Sequence, residues 1–322
     1  MAGQSTSGHE TYYVPEQSKL AICASIGLFL SVFGAAHYIN GQSPKFGTED
    51  GASPAIMFRG LAFFIVTLCV WFRTTIRENI AGMNSAQLKK SYVIGMQWFI
   101  FSEVMFFFAF FGALFYVRSL AGPWLASEGD KGMNTLLWGS FQYAWPLMET
   151  PQQAVGGVAN QLMANNGEFA GPDKSLHFPG FSQMFGWLPL WNTIILLTSS
   201  FTVHVAHNAL KANQRSKFTT WLFITVALGF VFVGLQMLEY YEAYVHYGLK
   251  LHSGIYGTTF FMLTGFHGVH VVMGATMLLI QWLRTLKGHF TAEDHFGFEA
   301  SSWYWHFVDV VWVGLFLFVY IL

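Results

Sequence analysis

Charge is scarce in this chain. Of its 322 residues only 10% are Asp, Glu, Lys or Arg, and 16 basic against 17 acidic side chains leave a net charge of −1. A chain balanced in this way has no basic face to offer nucleic acid. Cysteine is scarcer still. Cys23 and Cys69 both sit inside apolar runs, where they read as small packing residues and not as a disulfide or a metal pair. The first 19 residues, MAGQSTSGHETYYVPEQSK, have neither an apolar core nor an Arg-rich amphipathic pattern, so neither a cleavable secretory signal nor a transit peptide is expected.

What is abundant is hydrocarbon. Hydrophobic residues make up 53% of the chain and aromatics 18%, with a mean hydropathy of +0.41, which excludes an ordinary soluble domain. Runs of about 20 apolar residues suffice to cross a bilayer core of about 30 Å. Seven such runs are expected, at about Leu20–Ile39, Ala55–Phe72, Gly95–Tyr116, Trp187–Leu210, Phe218–Tyr247, Gly254–Leu283 and Glu299–Leu322. Residues 120–186, rich in Gly, Pro, Asn and Gln, read as an extramembrane insertion between the third and fourth crossings. The expectation is one all-α membrane domain over residues 1–322. Basic residues in the short loops (Lys19, Arg73, Arg77, Lys89, Lys90, Lys211, Arg215, Lys217, Arg284, Lys287) fall on one side. That asymmetry predicts a cytoplasmic N-terminus and a C-terminus on the opposite side.

Inside the third run, GMQWFIFSEVMFFFAFFGALFY, one ionisable side chain stands near the middle: Glu103. An ionised, unpaired carboxylate at that depth costs at least a few kcal/mol. Glu103 must therefore hold a proton, face a wet or protein-lined interior, or take part in function. Four further helices carry polar residues three apart, on one helical face: His204 and His207, Glu239 and Glu242, His267 and His270, His306 and Asp309. Two chemistries fit them. They could ligate haem or a di-iron centre, making the chain a self-sufficient membrane oxidoreductase, or they could satisfy one another and the backbone at interhelical contacts. The residue types tell against iron: a carboxylate di-iron bundle pairs Glu with His on one helix, and here the types are segregated. A proton or ion carrier using Glu103, Glu239 and Glu242 is a third class, weakened by the missing repeat. At the basic boundary, Arg73, Arg77 and Glu78 end one run and Arg284, Lys287 and His289 another. Guanidinium forks there suit a phospholipid headgroup.

Several segments resemble subunit III of the cytochrome c oxidase branch of the haem-copper oxidases. They are IREN (Ile76–Asn79), GMQWFIFSEVMFF (Gly95–Phe107), LPLWNT (Leu188–Thr193), LQMLEYYEA (Leu235–Ala243), GTTFFMLTGFHGVHV (Gly257–Val271) and HFGFEASSWYWHFVDVVW (His295–Trp312). The resemblance implies seven transmembrane helices in two groups separated by a cleft that holds structural phospholipid. It also implies no haem or copper in this chain, those centres lying in a partner subunit I, with subunit II alongside and cytochrome c as donor to the complex. By the same resemblance the chain supports proton uptake and the durability of subunit I. Carried over residue by residue, the family's intramembrane carboxyl falls on Glu103 and its lipid contacts on Trp71, Phe72, Arg77, Glu78, Arg284 and His289. The histidine pairs then become structural. The family's Trp-Pro-Pro is replaced by HFPGFSQMFGW, so contacts made outside the membrane do not carry over there. The longer 120–186 segment and the missing transit pattern favour a bacterial inner membrane, with the C-terminus periplasmic.

Overall fold

The computed structural model describes residues 18–41, 53–129, 139, 141–147, 151, 178–251 and 254–322. Most of the 120–186 insertion and of the turn between the first two crossings lies outside the described residues. Among the described residues there are no strands, and seven helices are long and apolar enough to cross a membrane. They are α1 (Leu20–Gly41), α2 (Ala55–Ile80), α3 (Ala86–Tyr116), α4 (Leu188–Lys211), α5 (Arg215–Val245), α6 (Ile255–Leu286) and α7 (Phe296–Leu315). A wide turn at Val117–Ala121 carries α3 into a short helical piece, Gly122–Leu125, and a second wide turn, Phe316–Ile321, follows α7.

Helices α2 and α3 differ most from the apolar runs that mark them. The run ending at Phe72 continues as helix through Arg73, Thr74, Arg77 and Glu78, and α3 begins nine residues before Gly95. Hydropathy measures the hydrocarbon thickness, whereas the backbone keeps its internal hydrogen bonds into the headgroup layer until a stop signal intervenes. At α2 that signal is Gly82, left-handed at φ 74°. Its N–H bonds the Asn79 carbonyl, and the Met83 N–H bonds that of Glu78, closing a Schellman cap. Gly288 (φ 73°) ends α6 in the same way, through Gly288 N to Thr285 O and His289 N to Arg284 O.

The chain forms two compact units, 1–94 and 95–322. In the first, α1 and α2 pack backbone to backbone at glycines. A Cβ on Gly34 would lie 2.3 Å from the Met57 nitrogen, and one on Gly60 2.5 Å from that of Ser31. Small residues permit this approach, which is what holds helices together when lipid supplies no hydrophobic drive. In the second unit the core lies along α7, half of whose apolar window is buried. Trp305 is fully buried and fits against Gly229 of α5 and Gly274 of α6, where an added Cβ would come within 2.8 Å of the indole. Its N–H donates to Ser199 Oγ of α4 at 3.0 Å, and Trp312 donates likewise to Thr193 Oγ1. The hydroxyl pair Thr202–Thr225 (2.8 Å) joins α4 to α5, and Tyr240–Thr264 (2.6 Å) joins α5 to α6.

Candidate functional site

Helix α3 brings Glu103 against α6. Its Oε2 lies 2.8 Å from His270 Nε2, the imidazole 8% and the carboxyl side chain 21% exposed. Aromatic rings close around the pair. Phe107 and Phe106 lie with ring centroids 5.0 and 5.9 Å from the imidazole, and Tyr304 of α7 stacks at 6.4 Å. The second ring nitrogen is decisive. His270 Nδ1 lies 2.6 Å from the Phe266 carbonyl, one turn back; a carbonyl only accepts, so Nδ1 carries a hydrogen. A neutral ring then presents Nε2 as an acceptor, and the carboxyl must donate to it; with the proton transferred, imidazolium donates to carboxylate. Either way the two groups hold one shared proton and no net charge. That resolves the cost of a carboxylate at this depth.

The residues spaced three apart along the other helices find most of their partners elsewhere. His267 is fully buried, with Nε2 3.2 Å from the Val308 carbonyl of α7 and its ring against Trp312. His204 Nε2 accepts from Asn208 Nδ2 at 3.0 Å, while the His207 ring packs on His295 and Phe298. His306 Nδ1 meets Ser200 Oγ at 2.8 Å and lies 3.7 Å from Asp309 Oδ2. Glu239 is 1% exposed and faces the Tyr320 hydroxyl. Glu242 is half-buried, and its carbonyl accepts the N–H groups of His246 and Tyr247 at the end of α5. Among the described residues no three His, Cys, Asp or Glu side chains come together in a metal-holding group.

The C-terminal ends of α2 and of α6 carry the phospholipid candidates, each within its own unit. Within the first unit Trp71, Phe72 and Arg77 are exposed and Glu78 is half-buried. Within the second, Arg284 reaches Gln281 Oε1 at 3.0 Å and lies over the Phe290 ring at 4.6 Å. Gly297 makes room for it, since a Cβ there would sit 2.9 Å from Nη1. Arg284 Nε and His289 Nδ1 have no hydrogen-bond partner among the described residues. Partial burial, then the charges of Arg284 and Lys287, hold His289 below the ordinary imidazole range. This corner has donors to spare and favours an incoming anion.

Tyr304, Ser200 and Trp305 were not singled out by helical spacing, because their roles lie in contacts between helices. The only signal for Tyr304 and Trp305 is the density of the WYWHFVDVVW segment, and Ser200 has none. A family model described as cytochrome c oxidase subunit III matches residues 10–126 and 183–322. Among similar proteins, cytochrome c oxidase subunit 3 of Arabidopsis thaliana is 34% identical over 316 residues, covering 98% of this chain and 97% of the relative. That of Tragelaphus oryx is 34% identical over 315 residues, 97% and 98% of the two chains. That of Dugong dugon is 38% identical over 269 residues, 83% and 84%.

Proposed function

With the chain a member of the cytochrome c oxidase subunit III family, and so a multi-pass membrane subunit of a respiratory oxidoreductase, we propose that it serves as the accessory subunit that supports proton uptake and durability. The reaction, electron transfer from cytochrome c to O2, belongs to the assembly. Haem and copper, which supply that redox chemistry, reside in partner subunit I, and this chain packs on it. The membrane is a bacterial inner membrane, with the N-terminus cytoplasmic and the C-terminus periplasmic. The long 120–186 segment favours the bacterial setting.

One observation carries the proposed role: Glu103 Oε2 and His270 Nε2 lie 2.8 Å apart at membrane depth. Because Nδ1 is committed to the Phe266 carbonyl, the shared proton can shift between carboxyl and imidazole without changing the charge of the site. Removing it leaves a net negative charge among aromatic rings. Phospholipid held at Arg77 and Glu78, and at Arg284 and His289, keeps the surrounding helices in place. The glutamine variant separates role from packing. In Glu103→Gln an amide N–H donates to His270 Nε2 in place of the acid, so the fold persists while the exchangeable proton is gone. Purified oxidase carrying Glu103→Gln is expected to assemble in normal yield but to lose turnover rate or lifetime over repeated cycles. Unchanged turnover and lifetime would reduce Glu103 to a packing group. Reduced-minus-oxidised spectra and metal analysis of the isolated chain test the rival class. Stoichiometric haem or iron would make it an oxidoreductase in its own right.

A further inference from the structure

The outward faces of the second unit are not alike. On α5 and α6 the exposed side chains at membrane depth are apolar apart from the Thr276 hydroxyl: Phe230, Val231 and Met237, with Val269, Val272 and Met273. Hydrocarbon suits them. Where α4 meets α7 the outward face is interrupted by His204, Asn208 and His306 among Phe201, Val310 and Val313. The His306 side chain is 39% exposed, ten residues into α7, or about 15 Å along the helix. An imidazole presented to lipid there is costly, and intramembrane polar groups face protein or water by preference.

The hydrogen bonds define what the face lacks. Ser200 Oγ and the buried Asp309 carboxyl both lie on the Nδ1 side of His306. A carboxylate on that side orients the ring and favours the Nδ1–H tautomer, leaving Nε2 as an outward acceptor. On His204 the roles are reversed, because Asn208 Nδ2 donates to Nε2 and so the outward Nδ1 carries the hydrogen. No hydrogen-bond partner is seen for either outward nitrogen among the described residues. We propose that the α4–α7 face is the docking surface for a transmembrane helix of another oxidase subunit. That helix presents an N–H or O–H donor to His306 Nε2 and, about one turn nearer the basic boundary, an acceptor to His204. A Ser, Thr, Asn or Gln side chain meets either need. The proposal rests on the accessory-subunit reading and adds to it the face, the depth and the polarity of the contact.

The test uses assembled, purified oxidase with a photo-crosslinking amino acid in place of Val310, which is 72% exposed beside His306, or of Met237, 68% exposed on α5. The Val310 probe is expected to join a transmembrane segment of another subunit, and the Met237 probe to join lipid. In parallel, His306→Phe should lower retention of this chain on the complex during detergent washing by about fivefold, the usual size for one interhelical hydrogen bond. His306→Gln, which keeps an acceptor, should retain it within about twofold. A Val310 probe that reacts only with lipid or with residues 1–94 of its own chain overturns the docking surface, as does unchanged retention of His306→Phe, and both leave the accessory reading standing. Failure of the unsubstituted chain to copurify with any haem-bearing subunit removes both.

Discussion

At the scale of single residues, the depth of Glu103 was legible in the sequence but its partner was not. Spacing along α6 coupled His267 to His270, whereas the fold turns His270 to Glu103 and His267 to the Val308 carbonyl. Helical periodicity reports which side chains share a face; what that face meets depends on how helices assemble, and 167 residues separate the two partners. The pair makes a sharp stability prediction. His270→Leu strands a carboxyl with no partner on α6, at about 1–3 kcal/mol, whereas Glu103→Gln keeps a donor on Nε2 and costs under about 1 kcal/mol. Thermal unfolding of the purified complex should therefore rank unsubstituted chain, Glu103→Gln and His270→Leu in that order. Equal losses for both variants would mean that the Glu103–His270 bond contributes nothing through its geometry.

Among the helices, existence and order followed from hydropathy, while their ends followed from other chemistry. The caps at Gly82 and Gly288 were written as glycines a few residues past Arg77 and Arg284, yet the apolar runs stop earlier, so α2 and α6 extend beyond them. The packing of α1 on α2 was visible only as a wealth of small residues; which glycines touch required the fold. Gly34→Ala puts a methyl 2.3 Å from a backbone nitrogen, a clash that no rotamer relieves. It should cost about 1–3 kcal/mol, against a neutral or slightly favourable Gly112→Ala, whose Cβ meets nothing within 4 Å. A denaturation midpoint for each variant decides it. The end of α6 gives a pH prediction as well. His289 is held below its ordinary value by partial burial and by Arg284 and Lys287, so the stability it permits is fully present above the ordinary imidazole pKa of about 6.5 and is lost as pH falls below it toward the folded value. A bound anionic headgroup offsets those charges. Unfolding midpoints at about pH 7 and pH 5 should therefore fall less with anionic phospholipid than with zwitterionic lipid, and Arg284→Ala should erase the difference between lipids.

For the molecule as a whole, the distribution of charge sets an orientation that labelling can check directly. The alternating helix ends observed here put Arg77 with Lys89, Lys211 with Arg215, and Arg284 ahead of Phe296, so the basic residues read from the loops cluster at alternate connections, as an orientation with those connections in the cytoplasm requires. The 120–186 segment was legible only as a break in hydropathy, because its composition carries no periodic pattern from which a packed element could be built. The orientation predicts opposite chemistry at the two ends of α5. With Cys23 and Cys69 replaced by serine, a cysteine at Ser216, in the first turn of α5, should resist a membrane-impermeant maleimide in intact cells or right-side-out vesicles and react once the membrane is opened. A cysteine at Leu251, beyond the other end of α5 and 45% exposed, should react from outside without opening. Because α5 is one continuous helix of 31 residues, the two labels must report opposite sides. Reversal of both would invert the orientation and leave the fold intact, whereas reaction of both from the same side would mean that α5 does not cross the membrane.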